Sequence, residues 1–307
     1  MFSRCWSSTA EDLEVGMRWL GLLLVLIAAG AQAQVHATDD RGTEVVLENP
    51  AQRIVSLAPS TTELLFAAGA GSQVVGVSAF SDHPAAARAL PRIGDSSHLD
   101  MERILSLHPD LVVGWANGNR PADIARLRRL GLPVFLTEPK RLDRIPLLIE
   151  KLGRLAGTEP QAQHSAAAFR SGLRVLREDY SGRPRLTVFF QIWSRPLLTL
   201  TSRQIVSDVL NLCGGENVFA QLPGIAPQVG REDVVRADPD VIVISEPHAI
   251  AAADLARWRR MRVLRAVREN HLYVVRPGLI TQPGPRILEG ARAVCADLES
   301  ARSTSRH

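Results

Sequence analysis

Motifs that carry chemistry are missing. The 307-residue sequence contains no G-x-G-x-x-G, no phosphate-cradling G-x-x-x-x-G-K-[ST], no G-x-S-x-G and no H-E-x-x-H, which removes the common signatures of dinucleotide, nucleotide, serine-hydrolase and zinc-peptidase sites. The histidines His36, His83, His98, His108, His164, His248 and His271 are dispersed, with no pair four apart and no cysteine beside them. A dedicated zinc site is therefore not expected. Asp238 and Asp240 flank Pro239 and read as turn and cap residues rather than a hydrolytic dyad. No enzyme is expected, and an extracellular hydrolase is kept as the rival from another class. Aromatic residues make up only 5% of the chain, so each one that falls in a loop carries weight. The net charge of +4 is mostly arginine spread along helical stretches, such as Arg126, Arg128 and Arg129 or Arg257, Arg259 and Arg260. With no aromatics interleaved, these read as solvated faces, and nucleic-acid binding is not expected.

Long apolar runs are also scarce. The one that stands out, Trp19 to Ala29, follows Arg18 and closes on Ala31-Gln32-Ala33. It reads as a secretory signal with an A-x-A cleavage site, too short to span a bilayer comfortably. Glu11, Asp12 and Glu14 occupy the place where positive charge is expected, which points to Met17 as the start of translation. We expect a signal over 1–33, a mature chain from about Gln34, no lipid or membrane anchor, and a soluble exported protein, periplasmic in a Gram-negative host. Removing the leader leaves roughly 270 residues, enough for two cored domains. Cys5 departs with it. Cys213 and Cys295 remain, an even count that reads as a disulfide in an oxidising compartment, with two separate buried thiols as the alternative.

What is present is a repeat. Asp100 to Trp115 reads DMERILSLHPDLVVGW and Gly230 to Ser245 reads GREDVVRADPDVIVIS. In both, a glutamate (Glu102, Glu232) precedes an aliphatic pair and stands at the same distance from a Pro-Asp that opens an apolar run. The unit predicts a short helix, a turn stopped by proline, and a buried strand. The glutamates fall in the first helical turn, where the macrodipole favours an anion, and point to solvent.

Strand patterns alternate with helix patterns over the rest, which argues parallel sheets covered on both faces. Arg53 to Leu57 is a strand feeding Ala58-Pro59-Ser60-Thr61-Thr62-Glu63, where a Ser or Thr cap with an acid a few residues on is expected before a helix. Glu159 to Tyr180 reads as one long helix with Ala166, Phe169, Leu173 and Leu176 on its buried face, joining a lobe over 34–158 to a lobe over 181–307. The segment Glu299 to His307 reads as frayed. Phe80, Trp115 and Trp193 fall in loops expected to follow strands. Open parallel sheets bind ligands outside the carboxyl ends of their strands, so these three are candidate cleft residues.

These segments resemble a family. RIVSLAPSTTELLFAAG from Arg53, VVGVSAFSDHP from Val74, the first repeat with Trp115, NLCGGENVF from Asn211, PQVGRED from Pro227 and PGPRI from Pro283 are together similar to the substrate-binding proteins of ABC importers that carry cobalamin, haem or ferric siderophores. The cobalamin carriers are the nearest. The resemblance implies the helical-backbone class of periplasmic binding proteins (class III): two Rossmann-like α/β lobes, one rigid long helix between them, a shallow cleft and a small hinge motion. It implies no enzymatic step and no cofactor, only a ligand, cobalamin or a related corrinoid, with haem or a ferric siderophore on the same fold as the alternative. It implies a monomer that docks on a dimeric ABC permease through one glutamate per lobe, here Glu102 and Glu232. It also implies that Cys213 and Cys295 form a pair. In the cleft, Phe80 matches a tyrosine and Trp115 a tryptophan, with Trp193, Ile280 and Gln282 completing the ligand set. Ser96, Ala226 and Ile280 stand where the cobalamin carriers have aromatics, and Ile192 replaces a phenylalanine that Trp193 would offset.

Overall fold

The computed structural model describes residues 34–304. The expected signal over 1–33 lies outside the described residues. The described chain opens with an antiparallel hairpin of β1 (Val35–Thr38) and β2 (Glu44–Leu47). A first sheet follows, from β3 (Ile54–Ser56), β4 (Val74–Val77), β5 (Leu111–Trp115) and β6 (Val134–Thr137), in the order β4-β3-β5-β6 with every pairing parallel. A second sheet is built from β7 (Leu186–Ser194), β8 (Leu197–Thr199), β9 (Gly215–Asn217), β10 (Val241–Ile244) and β11 (Leu272–Val274). Its parallel strands run β9-β7-β10-β11, the same 2-1-3-4 order as the first sheet. The duplication seen in one stretch of sequence thus extends to the topology of both lobes. The short β8 departs from the all-parallel expectation. It returns antiparallel on the far end of β7, because Arg195 and Pro196 close a tight reversal that leaves no room for a crossover helix.

Each repeat forms the predicted helix, turn and buried strand. Met101–Ser106 leads to β5 and Arg231–Ala237 to β10. In each, a residue with positive φ stands just before the proline, His108 at 47° and Asp238 at 37°. The aspartate after the proline then secures the neighbouring parallel strand. Asp110 accepts the amides of Gln52 and Arg53 at 2.7 and 2.9 Å. Asp240 accepts the amide and hydroxyl of Thr187, both at 2.8 Å. A carboxylate fixed to the first amides of the adjacent strand sets the pairing register there, so the Pro-Asp is as much a clamp as a turn.

The long helix spans Glu159–Tyr180, 22 residues and about 33 Å. Ala166, Phe169, Leu173 and Leu176 form its buried face as expected. It packs on the helix Arg144–Ala156, and one continuous apolar core holds Leu64, Leu152, Phe169, Phe190, Val243 and Leu298 from both lobes. Two polar links supplement it. Arg286 donates to Oε1 of Glu63 from Nη2 at 2.6 Å and from Nε at 3.0 Å, and Leu142 N donates to Asp208 at 2.8 Å. Glu63 is thus not a capping acid. The helix Pro59–Ala67 starts after Ala58, and Thr61 Oγ1 accepts the Ala58 amide at 3.1 Å, so the hydroxyl caps from inside the first turn. The frayed end is corrected too: the closing helix runs Ile287–Thr304. Arg302 holds it, 3% exposed, donating to Pro184 O at 2.8 Å and Cys213 O at 2.6 Å.

Burial pushes the carboxyl of Asp297 on this helix up to about 6. A carboxyl whose folded value lies above its unfolded one binds the extra proton in the folded state, so stability falls as pH rises from about 4 to about 6. Asp297→Asn is therefore expected to raise stability at pH 7.5 and leave it unchanged at pH 4. The full shift would be worth about 3 kcal/mol, and solvent screening at this partly exposed site reduces that to about 1 kcal/mol. Urea denaturation at the two pH values checks it; equal effects at both would refute the burial penalty.

Candidate functional site

The carboxyl edges of the two sheets approach each other where Glu63, at the start of the helix after β3, meets Gly284 and Arg286 in the segment after β11. In a 2-1-3-4 sheet the chain leaves the first strand once to either side, which opens a crevice at the carboxyl ends of β3 and β5 and again at those of β7 and β10. The aromatic candidates fall along these edges.

Phe80 follows β4 and is 76% exposed with φ of 63°. A bulky side chain in the left-handed region is strained, and an exposed ring loses apolar burial as well, so the surroundings must impose the conformation. They do so through polar bracing. Ala79 N donates to Gly94 O at 2.7 Å, Arg92 Nη1 donates to the carbonyls of Ser78 and Ser81 at 3.1 Å, and Thr62 donates to the Ser81 hydroxyl at 3.1 Å. The adjoining loop is stiffened by Asp95. Hydrogen bonds from the Ser97 hydroxyl and the amides of Ser97 and His98 hold that carboxyl below the usual range.

Trp115 is the last residue of β5 and half-buried. Asn119 fixes its backbone, accepting Trp115 N at 2.7 Å and donating to Leu57 O at 3.0 Å. The indole lies across Gly118, where a β-carbon would stand 2.0 Å from Trp115 Cε3. Only glycine permits this ring position.

Trp193 does not follow a strand. It lies within β7 at a register shift against β8, 48% exposed, with Nε1 donating to Arg195 O at 2.9 Å. Gln282, after the short helix Pro277–Ile280, is partly exposed. Ile280 is corrected: it is 0% exposed within the main core, because the end of that helix packs its apolar residues inward against the closing helix. A side chain with no surface offers a ligand no contact, and Ile280 leaves the candidate set. Glu102 and Glu232 are both exposed in first helical turns, and neither makes an ion pair among the described residues.

Sequence reasoning missed a buried polar network on β7, centred on Gln191. Gln191 is buried and donates to Glu246 at 2.7 Å and Asp254 at 2.6 Å, while its oxygen accepts Trp258 Nε1 at 2.8 Å. Arg257 pairs with Asp254. Burial, then the charges of Arg195 and Arg231, hold the Arg257 guanidinium below its ordinary value. The signal was available as a single glutamine inside the apolar run Phe189-Phe190-Gln191-Ile192, since a buried carboxamide requires partners. The network holds β7 from its buried side, two residues before Trp193. Cavities of about 510 and 550 Å³ exist elsewhere in the molecule, away from these aromatics. Phe80, Trp115 and Trp193 thus stand at or near the carboxyl ends of β4, β5 and β7, each with part of its ring exposed.

Comparison with known proteins agrees with this architecture. The curated vitamin B12-binding protein of Vibrio cholerae serotype O1 is 37% identical over 254 residues, covering 82% of this chain and 91% of that protein. The crystal structure of the periplasmic vitamin B12 binding protein BtuF of Vibrio cholerae superposes with a TM-score of 0.78 at 37% identity, over 82% of this chain and 98% of that one. A periplasmic haem-binding protein from Pseudomonas aeruginosa superposes at 0.69 with 28% identity, over 80% and 92%. The model of the periplasmic binding protein family matches residues 54–279. With paired 2-1-3-4 sheets, a helix between them and that match along most of its length, the chain belongs to the periplasmic binding protein family.

Proposed function

We propose that this protein captures a corrinoid, cobalamin foremost, between its lobes and delivers it to an ABC permease in the inner membrane. The observation that carries the reading is Phe80, a strained and exposed ring held out at the carboxyl edge. Strained residues held by their surroundings cluster at ligand sites, and an exposed ring at this edge is suited to such a role. The likeness to vitamin B12-binding relatives supports the choice of ligand. Trp115 and Trp193 extend the apolar wall, and Gln282 contributes a neutral polar contact. The lobes are assigned to 34–158 and 181–307 with 159–180 between them, the leader to 1–33, and the working compartment to the periplasm. The protein acts as a monomer, without a cofactor and without a catalytic step.

Calorimetry of the mature chain with cyanocobalamin and with haemin tests this. Tight binding of the corrinoid and weak binding of haemin are expected; the reverse order would move the protein to the haem carriers. Trp115→Ala is expected to weaken corrinoid binding by about 1–3 kcal/mol, the scale of one large apolar contact. Gly118→Ala should act in the same direction by displacing the indole. Parental affinity in the Trp115 variant would return that ring to a packing role.

A further inference from the structure

We propose that a groove at the amino ends of the second sheet is a phosphoanion site, separate from the cleft at the carboxyl edge. The groove has a volume of about 510 Å³, and its lining includes Arg141, Arg177, Arg183 and Arg185 with Asp208 as the lining carboxylate. Asp208 is already engaged, accepting Leu142 N at 2.8 Å and standing 3.7 Å from Arg141. Arg141 also pairs with Asp143.

Arginines at a helix end often serve the helix itself, since they complement its carbonyls and macrodipole. Arg183 does this, donating to Asp179 O at 3.2 Å and lying 3.6 Å from Glu299. Arg177 stands in the last turn of the long helix, where its charge complements the macrodipole, but neither it nor Arg185 donates to a helix carbonyl. The Arg177 side chain makes no hydrogen bond and no ion pair among the described residues, and Arg185 reaches only the Asn211 carboxamide at 3.4 Å. Two exposed guanidinium groups therefore keep their donor forks free toward one concave space, the geometry that recognises phosphate oxygens bidentately. The volume exceeds one phosphate ion, and several guanidinium groups converge, so the ligand is an anion of two or more charges, either a soluble phosphoanion or a phosphate-bearing lipid headgroup.

The position makes the site independent of the cleft. Residues 181–185 enter β7 and Gly214 enters β9, at the ends of those strands opposite to the one that carries Trp193. The loop backbone is fixed by Arg302, which donates to Pro184 O at 2.8 Å, so the Arg183-Pro184-Arg185 turn is held in place before any ligand arrives.

The test uses the purified mature chain in low-salt buffer. One arm titrates inorganic pyrophosphate by calorimetry, and the other measures co-sedimentation with phosphatidylglycerol vesicles against phosphatidylcholine vesicles. Binding is expected in at least one arm, weakened tenfold or more in Arg177→Gln/Arg185→Gln and unchanged in Trp115→Ala. Pyrophosphate binding alone identifies a soluble ligand; binding confined to phosphatidylglycerol identifies a headgroup. If the double glutamine variant melts below the parent, Arg177→Lys/Arg185→Lys replaces it, with a loss of two- to tenfold expected because lysine lacks the fork. No binding in either arm, or parental binding by the substituted protein, would overturn the proposal.

Discussion

Replacing Glu102 and Glu232 together by alanine is expected to abolish uptake while leaving ligand affinity at the parental value. Both stand in the first turn of a helix that precedes an equivalent strand, β5 or β10, and both are exposed without an ion-pair partner among the described residues. A helix leading into a parallel strand runs antiparallel to it, so its start lies on the side of the strands' carboxyl ends. The two acids therefore stand toward the carboxyl ends of the strands, the side on which Phe80 and Trp115 follow β4 and end β5. A two-lobed monomer would meet a two-fold symmetric permease only through pseudo-equivalent contacts, and the docking proposed for these residues is one acid per lobe. Truncating one side of a desolvated charge pair costs about 2–5 kcal/mol, and the double variant loses two such contacts. Uptake into proteoliposomes holding the permease, alongside calorimetry of the free protein, separates docking from capture. Uptake at the parental rate would reduce both residues to ordinary helix-start acids.

Removing the disulfide has the second-largest expected effect, here on stability. Cys213 and Cys295 are bonded, both at 0% exposure, and 82 residues apart in sequence. The bond ties the end of the helix Ile205–Leu212 to the closing helix Ile287–Thr304. Closing a loop of that length restricts the unfolded chain by about 4.5 kcal/mol in the chain-entropy model. Cys213→Ala/Cys295→Ala should therefore lower stability by about 3–5 kcal/mol, with a fall in Tm of about 10 °C. Arg302 donates to Cys213 O, so part of the helix end stays tied in the variant and the fold persists. A melting point within a degree or two of the parent would show that packing alone holds the closing helix.

Much of this protein was legible in its sequence because its signals are local. A strand buried on both faces must be apolar throughout, and the runs after each Pro-Asp became β5 and β10. Helical spacing of Ala166, Phe169, Leu173 and Leu176 gave the long helix with both of its ends. The repeated glutamate spacing disclosed a duplication that recurs in the strand order of both sheets.

Tertiary structure decided what depends on partners distant in sequence. Glu63 and Ser60 looked like the start of a capping pattern, yet Glu63 meets Arg286 across the lobes, 223 residues away. Asp240 reads as a turn or cap residue and Asp110 as part of the Pro-Asp that opens a strand, and only the neighbouring strand reveals both as register clamps. The family resemblance implies Ile280 in the cleft, whereas packing against the closing helix leaves it no exposed surface. Phe80 and Trp115 were identifiable as aromatics at strand ends, but the strain in one and the glycine platform under the other belong to the backbone of surrounding loops. The physical reason is one of range. Periodicity in a chain states which face of an element avoids water, and capping and proline rules state where the element stops. Neither states which side chain from another element arrives to satisfy a buried charge or carboxamide, because that pairing exists only once the sheets have packed.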